Sequence, residues 1–242
     1  MAKTAGIIVI GNEILSGKVV DTNSPYLCQE LRGLGVDVRR IAVVPDEIAV
    51  IAADVATFSH TFDYVFTTGG VGPTHDDVTI EAVARGLQRL VIVHPDLDAL
   101  LQKYWADRPS AARQKMASVP AGAQLLMEPS LPIPVLLVEN VYIFPGIPQL
   151  FRRKFDSIKE RFRDMPYYAR LVYVTARESS FSHLLDTLVD EFPALMLGSY
   201  PEVKNPDYRV KLTLESKDPT YLARAYDRLL ALLPPHYICR VE

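Results

Sequence analysis

Three glycines within four positions, Gly69, Gly70 and Gly72, are followed at once by Pro73, Thr74, His75, Asp76 and Asp77. Without Cβ atoms, such a run lets several backbone N–H groups converge on an anion. Thr67, Thr68, Thr74 and Thr79 add hydroxyl donors around it. Two carboxylates and an imidazole directly after an anion cradle suit a divalent ion that bridges carboxylate and phosphate oxygens and keeps several waters. Attack of a metal-activated water on phosphorus is the chemistry such a set allows. Asp77 is the leading metal ligand. For His75 and Asp76, solvation or plain helix capping stands beside the metal role.

Asp46 follows Val43-Val44-Pro45 at the carboxyl end of a predicted strand, the edge at which open parallel sheets hold ligands. It can complete a carboxylate cluster, or it can cap the helix that begins near Glu47. Glu13 and Asp21 follow the first strand and share that edge. The common nucleotide fingerprints fail: Gly70-x-Gly72-x-x-His75 lacks the third glycine of a dinucleotide site, and Val19 stands where the 11–18 stretch would need a Ser or Thr to be a P-loop. No Gly-x-Ser-x-Gly elbow supports a serine hydrolase.

The elements that must position these residues alternate. Strands are expected at 6–10, 37–44 and 64–68, and helices at 24–34, 47–58 and 77–87. In the last of these the acidic residues fall in or near the first turn, where they offset the macrodipole. Helices at 95–104, 111–116 and 148–162 and strand-like runs at 135–138 and 141–144 follow, with a proline-rich loop at 129–134. Alternation of this kind favours a parallel sheet. After Met165-Pro166 the order becomes βαββαβ, a ferredoxin-like or KH-like unit, so the expected domains are residues 1–165 and 166–242.

At 242 residues and 49% hydrophobic content the chain can bury a substantial core. Its 26 basic and 29 acidic residues give a net charge of -3, which excludes unselective binding to nucleic acid and makes any phosphate pocket a local one. Cys28 and Cys239 lie far apart and form no metal-ligand spacing, so they read as thiols of a reducing cytoplasm. The run Ile7-Ile8-Val9-Ile10 is too short for a signal peptide, and no run approaches the roughly 18 residues of a membrane span.

Taken together, Gly11-Asn12-Glu13-Ile14-Leu15, Asp21-Thr22-Asn23, Val43-Val44-Pro45-Asp46-Glu47 and the 67–79 loop resemble the molybdopterin-binding-like domain of the competence/damage-inducible (CinA) family. Gln114, Pro120, Ala123 and the run from Asn140 through Pro145 and Gly146 to Pro148 resemble the same family's later signature, in particular the amino-terminal domain of eukaryotic FAD synthases. The likeness extends through Gly198-Ser199-Tyr200-Pro201 and 208–215 and so covers nearly the whole chain. It implies an α/β fold, a three-layer parallel-sheet domain followed by a small α+β domain. In relatives it implies divalent-metal-dependent cleavage of a dinucleotide such as FAD or ADP-ribose into AMP and a second monophosphate, with Mg²⁺ or Co²⁺ as the metal and K⁺ as a further ion. Other relatives bind or adenylylate molybdopterin.

Carried onto this chain, the resemblance makes Asp46 and Asp77 catalytic and Asp46, Asp76 and Asp77 metal-binding. It makes Gly11, Glu13, Asp21, Asn23, Thr68, Gly69, Gly70, Gly72, Pro73, Thr74, Pro145 and Gly146 ligand-binding. It also implies a nucleotide- or pterin-like small-molecule partner and a homo-oligomer; the charge, cysteines and hydropathy read above add a cytoplasmic location and neither nucleic acid nor membrane as partner. The chain departs from the family at Asn12, where aspartate is usual, and at 128–134, which replaces an Asn-Pro-x-Gly-x-Ala-Pro-Gly loop. Relatives that continue into an amidohydrolase or adenylyltransferase domain owe those activities to parts not expected here.

Overall fold

The computed structural model describes residues 2–107, 109–128 and 131–242. It divides into two compact units, Met1–Asp164 and Met165–Glu242.

In the first unit the elements are β1 (Thr4–Ile10), α1 (Asn12–Leu15), α2 (Asn23–Gly33), β2 (Asp37–Val44), α3 (Ile48–Thr61), β3 (Tyr64–Thr68), α4 (Thr79–Gly86), β4 (Val91–Val93), α5 (Pro95–Tyr104), α6 (Ser110–Ala117), β5 (Ser118–Pro120), β6 (Gln124–Leu126), β7 (Val135–Val138), β8 (Val141–Phe144) and α7 (Pro148–Ile158). Six strands form one sheet in the order β2-β1-β3-β8-β7-β6. β1 runs parallel to β2 and β3, and β3 parallel to β8, so four carboxyl ends meet along one edge. β7 and β6 extend the sheet antiparallel.

Strand alternation sends successive side chains to opposite faces, and β1 shows the result. Ile7 and Val9 join a core with Leu27 and Leu31 of α2 and Phe151 and Phe155 of α7, while Ile8 and Ile10 join another with Ile51 and Val55 of α3 and Val83 of α4. Each such fully buried side chain contributes roughly 1.5–3 kcal/mol through removal from water. The sheet is thus the middle of three layers; β1, β7 and β8 are apolar on both faces because both are covered, whereas the edge strand β2 is exposed or half-buried along most of its length.

Two expectations change. The helix expected from residue 77 starts at Thr79, because Thr79 N–H closes back onto Gly70 O at 3.1 Å and Asp77 is tied to Thr74 in the turn before it. β4 and β5 pair as a separate two-stranded ribbon, and β6 lengthens the main sheet; these three-residue strands are too short to show a period. In the proline-rich stretch, Pro129 and Ser130 lie outside the described residues, and 131–134 form no regular element.

The second unit runs β9 (Tyr168–Val174), α8 (Ser182–Glu191), β10 (Met196–Pro201), β11 (Val210–Ser216), α9 (Pro219–Leu232) and β12 (Ile238–Val241), the βαββαβ order. Its antiparallel sheet, ordered β10-β11-β9-β12, has its own core of Val172, Val174, Leu188, Leu212, Leu214 and Leu229. Alternate residues of β11 are buried, as one-sided coverage by helices requires. Asp218 caps α9, accepting from Thr220 N at 2.8 Å and Tyr221 N at 3.0 Å. The free thiols fall one to each unit: Cys28 on α2 is partly buried and Cys239 on β12 is exposed. Among the described residues no helix is long and apolar enough to cross a membrane.

Candidate functional site at the carboxyl edge of the sheet

The four parallel strands deliver Gly11, Asp46, Gly69 and the Pro145-Gly146 pair to one edge. Gly69 has φ +107°, and a Cβ there would stand 2.0 Å from Ile10 O, so only glycine lets β3 leave the sheet beneath the end of β1. Its N–H is spent on Phe144 O at 3.2 Å. Gly69 therefore shapes the cradle rather than donating to it. Gly70, at φ +61°, turns the chain toward Thr79, whose hydroxyl donates to Gly69 O at 2.7 Å. Among the described residues nothing accepts from the N–H groups of Gly70, Val71 and Gly72, three successive donors at the foot of α4. Such a run can serve an anion as a nest, and the helix dipole adds to it.

Asp77 closes this loop. Its Oδ2 accepts from Thr74 N at 2.8 Å and from the Thr74 hydroxyl at 2.5 Å, and a Cβ on Gly72 would lie 2.4 Å from that oxygen. Lys115 of α6 donates from Nζ to Thr74 O, bringing a positive charge to the loop from 41 residues away. Gly70, Gly72, His75, Asp77, Glu81 and Lys115 all line a cavity of about 390 Å³. Asp76 and Pro73 are exposed beside it, and hydrogen bonding from Thr74, then its own backbone N–H, holds the Asp76 carboxyl below the usual carboxylate value.

A second, smaller hollow of about 60 Å³ lies across the Gly69–Gly70 step, with Glu13, Asp21, Asn23, Thr68, Gly69 and Gly146 in its wall. Asn23 donates from Nδ2 to Thr68 Oγ1 at 2.9 Å and to Gly146 O at 2.8 Å, and Thr68 Oγ1 donates to Pro145 O at 3.2 Å. The Asn23 Oδ1 is buried without a partner among the described residues. Glu13 folds over Gly11, where a Cβ would meet its Oε1 at 2.7 Å. Asp21 has a local occupation: it accepts from Asn23 N at 2.9 Å, from Ser24 N at 3.1 Å and from the Ser24 hydroxyl, capping α2.

Asp46 stands at the end of β2. Its Oδ2 accepts Asn12 N at 2.8 Å, and its Oδ1 lies 3.6 Å from where a Gly70 Cβ would stand. Of the candidate residues, Gly70, Gly72 and Asp77 line the larger hollow and Glu13, Asp21, Asn23, Thr68, Gly69 and Gly146 the smaller, Asp46 faces Gly70, and Gly11, Pro73, Thr74, Asp76 and Pro145 line neither hollow. Among the described residues no three His, Cys, Asp or Glu side chains gather to hold an ion. Oδ1 of Asp46 and Oδ1 of Asp77 accept no hydrogen bond there. One or two free carboxylate oxygens beside an anion nest fit a metal that is bound jointly with substrate phosphates, the usual manner for Mg²⁺.

A mostly parallel sheet sandwiched by helices, with an anion nest at its carboxyl edge, places the first unit among α/β domains that hold small molecules at their strand ends. Its family follows from comparison with known proteins. The sequence profile of the probable molybdopterin binding domain matches residues 6–164, and that of the FAD synthase middle domain matches residues 166–242. The chain belongs to the family of the probable molybdopterin binding domain. A protein of Archaeoglobus fulgidus is 34% identical over 227 residues, covering 94% of this chain and 96% of its own length. The probable FAD synthase of Caenorhabditis elegans is 34% identical over 264 residues, 98% of this chain but 51% of that protein, so the chain spans about half of it. The crystal structure of the protein CinA with unknown function from Thermoplasma acidophilum aligns with a TM-score of 0.61 at 30% identity, over 66% of this chain and 98% of that one.

Proposed function

We propose that the chain is a divalent-metal-dependent nucleotide pyrophosphatase that cleaves a dinucleotide such as FAD or ADP-ribose to AMP and a second monophosphate. The observation that carries this reading is the Asp46 carboxylate turned toward Gly70, at the head of three successive unpartnered N–H groups. The nest holds the diphosphate, and Lys115 adds charge at the loop. Asp46, Asp76 and Asp77 would hold the metal. A bound divalent ion, Mg²⁺ or Co²⁺, would supply Lewis acidity and a more acidic water, with K⁺ as an accompanying monovalent ion. The loop N–H groups and Lys115 orient the diphosphate and neutralise the charge that develops on its oxygens.

The test is AMP release from FAD and from ADP-ribose with Mg²⁺ or Co²⁺. Absence of AMP from both, or undiminished AMP with Asp77→Ala, would overturn the reading. A second reading, a non-catalytic module that binds molybdopterin or a nucleotide, is favoured by Asp21 and Asp77 each being engaged in local hydrogen bonds. Calorimetry showing binding without turnover across several metals selects it. Molybdopterin adenylylation, the third reading, predicts pterin- and ATP-dependent AMP transfer. The ligand is a small molecule in each case, and self-association in the cytoplasm, away from nucleic acid and membrane, completes the proposal.

A further inference from the structure

Lys154 lies on α7 with 5% of its surface exposed, and its Nζ donates to Ile133 O at 2.8 Å and to Pro134 O. An ammonium carries three donors. Among the described residues the third has no acceptor and no carboxylate pairs with the charge. A buried donor of this kind is costly until something accepts from it. Burial pushes the amine down to about 8, consistent with a charge that lacks a counter-ion.

The same lysine is part of the wall of an apolar cavity of about 110 Å³. Three of its lining residues are Pro132, Pro134 and Pro145, which have no N–H to offer. Lys154 is therefore the charged donor of an otherwise greasy chamber. Val71, Met116 and Leu136 belong both to this cavity and to the larger one on the glycine loop, so the two are neighbours that share a wall. At about 110 Å³ the apolar cavity is smaller than the roughly 150 Å³ cavity that accepts benzene, so it takes the edge of a ring and not a whole one.

We propose that this chamber takes the edge of a carbonyl-bearing flat heterocycle, with Lys154 donating to the ring carbonyl, and that the ring belongs to the ligand whose phosphates lie on the Gly70–Gly72 nest. The proposal rests on the phosphate-loop reading above. A carbonyl edge satisfies the spare donor outright, whereas the accepting N1 and N7 of adenine each flank an amino group for which this wall has no charged acceptor, and a ribose presents hydroxyls to apolar side chains. The chamber thus reads the half of a dinucleotide that is not adenosine.

FAD and ADP-ribose test this directly, since both contain ADP and only FAD adds a carbonyl-bearing ring. Binding of each to the full chain is measured by calorimetry for the unaltered protein, for Lys154→Met, and for Leu150→Phe, which narrows the cavity and keeps the lysine. Both variants are expected to weaken FAD about tenfold or more while leaving ADP-ribose within about twofold. Unchanged ADP-ribose binding also certifies that the variants fold. Equal loss for both ligands, or no loss for FAD, overturns the proposal. ADP-ribose binding without FAD binding removes the ring chamber alone, and failure of both ligands on the unaltered protein removes the phosphate-loop reading with it.

Discussion

Asn12 donates its backbone N–H to Asp46 Oδ2 at 2.8 Å. The bond ties the end of β2 to the residue after β1 and leaves Oδ1 turned toward Gly70. Because the donor is main chain, it does not depend on which side chain occupies position 12. The asparagine found where the family usually has aspartate therefore alters local charge and leaves the aim of Asp46 intact.

Asp46→Asn keeps the shape of that contact and removes the charge. AMP release from FAD or ADP-ribose is expected to fall about 100-fold, with a melting temperature within about 3 °C of the parent. A rate equal to the parent's takes Asp46 out of the reaction.

Gly69→Ala sets a Cβ 2.0 Å from Ile10 O at a backbone φ of +107°. Urea unfolding is expected to show a loss of about 3 kcal/mol or more. Gly17→Ala, at φ +71° with open space around it, is the control. It should lose only about 1 kcal/mol, the cost of left-handed backbone alone. Equal losses would mean that the Ile10 carbonyl is free to move aside.

Lys154 gives the protein a pH signature. Its folded pKa, about 8, lies below the ordinary 10.5, so between those values the unfolded chain binds the extra proton. Stability then rises with pH across that window; below pH 8 both states are protonated and the burial penalty stands in full. Relative to Lys154→Met, the parent is expected to gain on the order of 2–3 kcal/mol between pH 8 and pH 10.5. Parallel stability curves for the two proteins would show that the amine is not depressed.

Removal of metal gives a fourth expectation. Dialysis against a chelator should bring AMP release to background, and Mg²⁺ or Co²⁺ should restore it, with K⁺ tested as an addition. Release that persists after chelation would leave the carboxylates without the role proposed for them.

Much of the frame was legible in sequence. β2 and β3 read directly because β-branched runs end at Pro45 and at Gly69, and the edge they share with Gly11 follows from parallel order. The start of α4 was not: acidic residues ahead of an apolar pattern look like a first turn, whereas Asp77 bonds backwards to Thr74. Gly69 read as a donor and is a spacer, since only the folded backbone shows its N–H spent on Phe144 O. Lys115 and Lys154 carried no signal, because a lysine on an amphipathic helix reads as solvent-facing. It takes the packing of distant segments to bring one to Thr74 O and the other beneath Ile133 and Pro134.

The single thiol in each unit gives the molecule a built-in pair of reporters. Cys239 is exposed on β12, so a maleimide reaches it while the second unit is still folded. Cys28 is partly buried, and burial together with Asp21 raises its thiol pKa, so its labelling waits for α2 to loosen. Timed alkylation under mild denaturant followed by peptide mapping would therefore assign each step of unfolding to its own half of the chain, with no engineered residue.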